Sequence, residues 1–142
     1  MAGPLMHMVL IDADANKIYD AISTGKGLAS FWTKESHADA KEGSIAKFGF
    51  GGPSLEMKVD ELKPGRLVRW STHRGFDDWN GTSVTWEIKP AKDGSHEVWF
   101  THEGWSKDMP PADLASVNYT WGRVVGRLKK YTETGTPSPY FG

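Results

Sequence analysis

The chain contains no cysteine. That excludes disulfides, a thiolate nucleophile and any zinc site built on sulfur. It has no excess of positive charge: 17 Lys and Arg stand against 18 Asp and Glu, a net charge of −1. No basic field exists to draw nucleic acid or an acidic membrane, so neither is expected as a partner. Long apolar runs are lacking too. The opening MAGPLMHMVLID has neither the basic start nor the small-residue cleavage site of a secretory signal. A cytoplasmic location is expected. The five histidines, His7, His37, His73, His96 and His102, form no HExxH helix and no His-x-His pair. His102 and Glu103, neighbours on one strand, would face opposite sides. No metal site is therefore expected. There is no GxSxG elbow, and the glycines at 25–27 and 49–52 fit no phosphate-binding loop. No cofactor and no catalytic residue are expected, and the reading leans away from an enzyme.

What is present points to one soluble domain over residues 1–142, 38 % apolar and 25 % charged. Residues 1–6 and 136–142 are expected to be loose, although Tyr140 and Phe141 could dock. Tryptophan is abundant: seven, six of them between Trp32 and Trp105.

The stretch from Ala112 to Glu133 carries Leu114, Val117, Trp121, Val124, Val125, Leu128 and Tyr131 on one stripe about 120° wide at helical spacing. Pro110 and Pro111 pre-set its first turn, and Asp113 complements the positive dipole end. Lys129 and Lys130 complement the other end, Gly135 can take a left-handed cap, and Pro137 forbids continuation. Upstream, Met8 to Ile11 reads as a strand. Asp14 caps a short helix bearing Ile18, Tyr19 and Ile22, and Leu28 to Trp32 forms a second after a break at Gly25–Gly27.

From Ser36 the period becomes two. Alternation runs through 44–50, 54–62, 67–73, 83–88 and 96–103. Lys63-Pro64-Gly65-Arg66 is a type II turn signature, and Asp93-Gly94 marks a hairpin. Hairpins make antiparallel neighbours, and a one-sided meander must bury its apolar face on something large. The expected fold is α+β. A curved antiparallel sheet of six to seven strands wraps round the long C-terminal helix, with two short helices after the first strand.

Six stretches carry a family resemblance: FWT at 31–33, KFGFGG at 47–52, ELKPGRLVRW at 61–70, WNGTSVTWEI at 79–88, FTHEGW at 100–105 and WGRVVGRLKKYTETG at 121–135. With the order of elements, they resemble the helix-grip fold of the START-like (SRPBCC) superfamily. More narrowly, they resemble the family named for the activator of heat-shock protein 90 ATPase. The resemblance implies a pocket between sheet and helix that in relatives holds an apolar ligand. A few superfamily members cyclise polyketides, and the namesake binds a chaperone. It carries over no catalytic residue.

Strand parity aims Phe48, Met57, Trp70, Trp86, Phe100 and His102 inward, opposite Trp121, with Asn118 at the edge of the helical stripe. These are the candidate ligand-binding residues. His102 and Asn118 would orient a ligand's oxygen, or else be satisfied within the core. An empty apolar void costs roughly 24 cal/mol per Å3, so about 300 Å3 kept dry would cost about 7 kcal/mol. That rivals the roughly 5–15 kcal/mol holding a domain together. Trp121 must therefore face a ligand or another tryptophan. Gly122 and Gly126 suggest close backbone approach by a strand. Phe76 and Trp79 are placed at a pocket rim, where Asp77 and Asp78 could bind a cation or form part of a lid.

Three functions follow. The first is binding of a small apolar or aromatic ligand by a monomer or weak homodimer. The second is a chaperone-binding module presenting Trp99 and Trp105 outward. The third is a cyclase- or hydrolase-like enzyme using His102 or the 77–78 aspartates.

Overall fold

The computed structural model describes residues 3–142. Strand β1 (Leu5–Ile11) leads into α1 (Ala15–Ser23) and α2 (Gly25–Phe31). The meander follows: β2 (Glu35–His37), β3 (Ile45–Gly49), β4 (Ser54–Lys63), β5 (Leu67–Arg74), β6 (Ser83–Pro90) and β7 (His96–Glu103). Helix α3 (Pro111–Thr134) ends the sequence of elements. The seven strands form one antiparallel sheet in the order β1-β7-β6-β5-β4-β3-β2. Two register shifts in the β4–β5 pair, between Glu56 and Met57 and between Val59 and Glu61, add the local bend that curls the sheet. This is the expected helix-grip architecture, with seven strands.

The turns behave as their residues dictate. Gly65 takes φ +74°, as the third position of a type II turn requires, and the Arg66 N–H donates to the Lys63 carbonyl at 2.9 Å. Asp93 and Gly94 both take positive φ, matching the twist of the hairpin they close.

Some details differ from expectation. Leu5 and Met6 belong to β1. The C-terminal segment is docked: the backbone N–H groups of Ser138, Tyr140 and Phe141 donate to the carbonyls of Ser30, Phe31 and Trp32. Gly27 lies inside α2, not in a break. A Cβ there would sit 2.4 Å from the Ala21 carbonyl oxygen, so this glycine lets α1 and α2 touch backbone to backbone. Gly135 does cap α3 at φ +77°, but the helix runs to Thr134, so the lysines stand a turn back from its end. Lys129 instead donates to the Leu10 carbonyl at 2.6 Å and pairs with Glu133 at 2.8 Å. Of the helical stripe, Trp121, Val124, Val125 and Leu128 are buried together with Thr132, whose hydroxyl returns to the Leu128 carbonyl. Leu114 and Val117 remain half-exposed. The first turns of α3 thus overhang open space.

Candidate functional site

The grip itself is full. Phe48, Met57, Trp70, Trp86 and Phe100 are each at most 1 % exposed. The Trp121 ring lies 4.4 Å from Phe100 and 5.0 Å from Trp32, with Trp86 at 6.1 Å. Trp32 in turn packs 4.4 Å from Phe48 and 6.0 Å from Trp70. On the grip side, Trp121 faces other tryptophans. The side chains expected to line a pocket between sheet and helix are its filling. Large aromatic surfaces in mutual contact remove the void that would otherwise destabilise the fold.

Open space begins above this filling. A cleft of about 740 Å3 lies between the first half of α3, the turn around Asp77–Trp79, the β3–β4 turn and the docked C-terminus. Of the expected ligand-binding residues, only Trp121 reaches it, as its floor. Both expected rim residues, Phe76 and Trp79, line it. Sequence reasoning left out Trp32 and Phe141, which line it too, as does Phe50, which the alternation over 44–50 puts on the same inward face as Phe48. Five of these rings close a circuit by successive contacts. Trp32–Phe50 is 5.8 Å, Phe50–Phe76 5.5 Å, Phe76–Trp79 5.3 Å, Trp79–Trp121 6.0 Å and Trp121–Trp32 5.0 Å. Phe141 adds a sixth ring edge-on to Phe50 at 5.1 Å.

The cleft opens on the flank of α3 that carries Asp113, Ser116 and Thr120. Asn118 is on the opposite flank. Its side chain is exposed and bonds His7 on β1, Oδ1 to Nε2 at 3.0 Å, so it does not face a ligand. Gly122 stands beside the same histidine, where a Cβ would lie 3.2 Å from the ring. The close neighbour expected there is a strand side chain, not a backbone. At Gly126 a Cβ would meet nothing within 4 Å among the described residues outside its own helical backbone.

His102 is completely buried beneath the cleft, at the centre of a hydrogen-bond chain. The Trp121 indole N–H donates to Nδ1 at 3.0 Å. Nδ1 must therefore be the bare nitrogen, which puts the proton on Nε2. Nε2–H then donates to the Thr82 hydroxyl at 2.9 Å, and that hydroxyl donates onward to the Trp79 carbonyl at 2.6 Å. The Thr72 hydroxyl, 3.0 Å away, supplies the last donor to Thr82. Burial pushes the His102 pKa down to about 3. The imidazole is neutral, and both of its nitrogens are occupied. It is a core histidine that orients Trp121, with no free lone pair for a substrate.

Nor do Trp99 and Trp105 form an outward patch. Gly104 turns the chain at φ +92°, close against the Gly81 carbonyl, and folds Trp105 inward. Trp105 is 1 % exposed and donates to the His102 carbonyl. Trp99 is half-covered, with the Lys89 ammonium 5.2 Å over its ring and Glu97 accepting from its N–H. Among the described residues, no three acidic or histidine side chains converge as metal ligands. No helix among them is long and apolar enough to cross a membrane.

A curled antiparallel sheet closed by a C-terminal helix defines the protein as one of the helix-grip class. The chain belongs to the activator of Hsp90 ATPase homolog 1-like protein family, whose pattern matches residues 12–133. No curated protein sequence matches it. Among solved structures, the Aha1 dimer from Colwellia psychrerythraea is 30 % identical, with a TM-score of 0.83 over 95 % of this chain and 98 % of that one. DynU16, from the dynemicin biosynthetic locus, is 22 % identical, with a TM-score of 0.77 over 99 % of this chain and 51 % of that one. Protein BH1534 of Bacillus halodurans is 20 % identical, with a TM-score of 0.77 over 93 % and 98 %. The last two share the fold.

Proposed function

We propose that the protein binds a small apolar molecule in the cleft above the aromatic filling. The circuit Trp32–Phe50–Phe76–Trp79–Trp121 carries this reading. Concave sites lined by aromatic rings with a few polar groups are where small ligands gain most from leaving water. The cleft reaches solvent, so it needs no vacant void inside the fold, and its volume lies within the range of roughly 300–1,000 Å3 usual for such sites. Titration with a panel of apolar compounds, followed by tryptophan fluorescence, tests it. Saturable quenching or a spectral shift supports the reading. A flat response across the panel, with the fold intact, rejects it.

A second reading is association with another copy of the chain through β1. Its support is the outward face of this edge strand, where Met6, Met8 and Leu10 are 53 %, 49 % and 51 % exposed. The Colwellia psychrerythraea relative is described as a dimer. An apolar row on an edge strand is a surface that soluble monomers usually protect. Light scattering on the purified protein decides between one copy and two.

A further inference from the structure

We propose that the molecule this cleft takes is an organic cation, an amine or quaternary ammonium on an apolar body, and that carboxylates are rejected. The inference rests on the cleft being a ligand site and specifies what enters it. Three carboxylates line the cleft, Asp77, Asp78 and Asp113, and no lysine, arginine or histidine does. Among the described residues, none of the three is ion-paired or accepts a hydrogen bond at its side chain. The chain as a whole is nearly neutral, at −1, so this uncompensated charge belongs to the cleft and not to a generally acidic surface.

The geometry separates an organic cation from a metal ion. The aspartates come from both sides of the opening, two from the 77–79 turn and one from α3, and form no converging ligand group. A metal ion needs oxygens at one point. A diffuse monocation over an aromatic surface needs only a negative field and the faces of rings, which carry negative charge of their own. Aromatic rings line the same cleft as the aspartates, with Phe50, Phe76 and Phe141 the more exposed of them. The end of α3 offers little to an anion. Pro111 has no N–H, the Leu114 N–H is already spent on the Pro110 carbonyl, and Asp113 occupies the first turn.

Three probes of matched shape test the proposal: phenylbutylammonium, phenylbutanol and phenylbutyrate, titrated into the full chain and read by tryptophan fluorescence. The ammonium is expected to bind about tenfold more tightly than the alcohol, with the carboxylate weakest. The advantage should shrink as salt screens the exposed aspartates. The triple substitution Asp77→Asn, Asp78→Asn, Asp113→Asn should narrow the gap between ammonium and alcohol to less than about twofold. All three side chains are exposed, so circular dichroism of the variant should match the parent. Equal binding of ammonium and alcohol, or preference for the carboxylate, overturns the cation inference and leaves the ligand-site reading standing. Failure of all three to bind overturns both.

Discussion

The indole N–H of Trp121 is held by the bare Nδ1 of His102 at 3.0 Å. Through this one bond a fully buried histidine fixes the ring that floors the cleft. Trp86, in the same cluster, has a buried indole N–H with no hydrogen-bond partner among the described residues. The two substitutions Trp121→Phe and Trp86→Phe remove similar volume and opposite polar situations. The first strands a buried acceptor, and the second deletes a buried donor that was already unpaired. Chemical denaturation should show Trp121→Phe to be more destabilising by about 1–3 kcal/mol.

Stability should depend on pH through His102. Its folded pKa is about 3, against an ordinary 6.5. The unfolded chain therefore takes up the proton first as pH falls. The contribution is complete above about pH 6.5 and declines toward pH 3, with a slope near 1.4 kcal/mol per pH unit. On the order of 3 kcal/mol is gone by pH 4. In urea titrations across this range, His102→Gln should flatten the profile by that amount. A variant with the parent's slope would show that His102 is not the group responsible.

The helical glycines should part company. Gly27→Ala forces a Cβ against the Ala21 backbone and should cost about 1–3 kcal/mol. Gly126 is exposed on α3 with open space around it, so Gly126→Ala should stabilise by up to about 1 kcal/mol. Thermal melts of the two variants would move in opposite directions.

Phe76 is half-buried and joins the circuit between Phe50 and Trp79. Phe76→Ala should weaken binding of an apolar probe by about tenfold, equivalent to about 1.4 kcal/mol. Because the ring is not in the core, the denaturation midpoint should stay near that of the parent.

If two copies associate through β1, Met8→Lys places a charge in the middle of its apolar row and should shift light scattering from dimer to monomer without loss of helix signal. A dimer that persists in this variant is formed elsewhere.

The fold was legible because its signals are periodic. Alternation over five segments and the stripe from Leu114 to Tyr131 are long enough to set element type, and the family stretches span nearly the whole chain. The site was legible only in part. Strand parity correctly turned Phe48, Trp70, Trp86 and Phe100 inward, but parity does not say whether an inward ring meets another ring or open space. On α3, Asn118 and Asp113 both border the stripe, and nothing local decides which flank meets β1 and which overhangs the cleft. Trp32 follows a helix of one to two turns, too short to show a face. Phe141 reaches the cleft through backbone bonds of the docked tail, which leave no side-chain pattern. Trp105 was misplaced because Gly104 breaks the alternation of β7 at the position before it.

The most direct measurement is a two-dimensional nitrogen–proton NMR titration of the seven indole N–H signals with phenylbutylammonium. If the ligand site is the open cleft, Trp32, Trp79 and Trp121 shift progressively while Trp70 and Trp86, in the filled grip, stay in place. Shifts confined to Trp70 and Trp86, with Trp79 unmoved, would contradict the account.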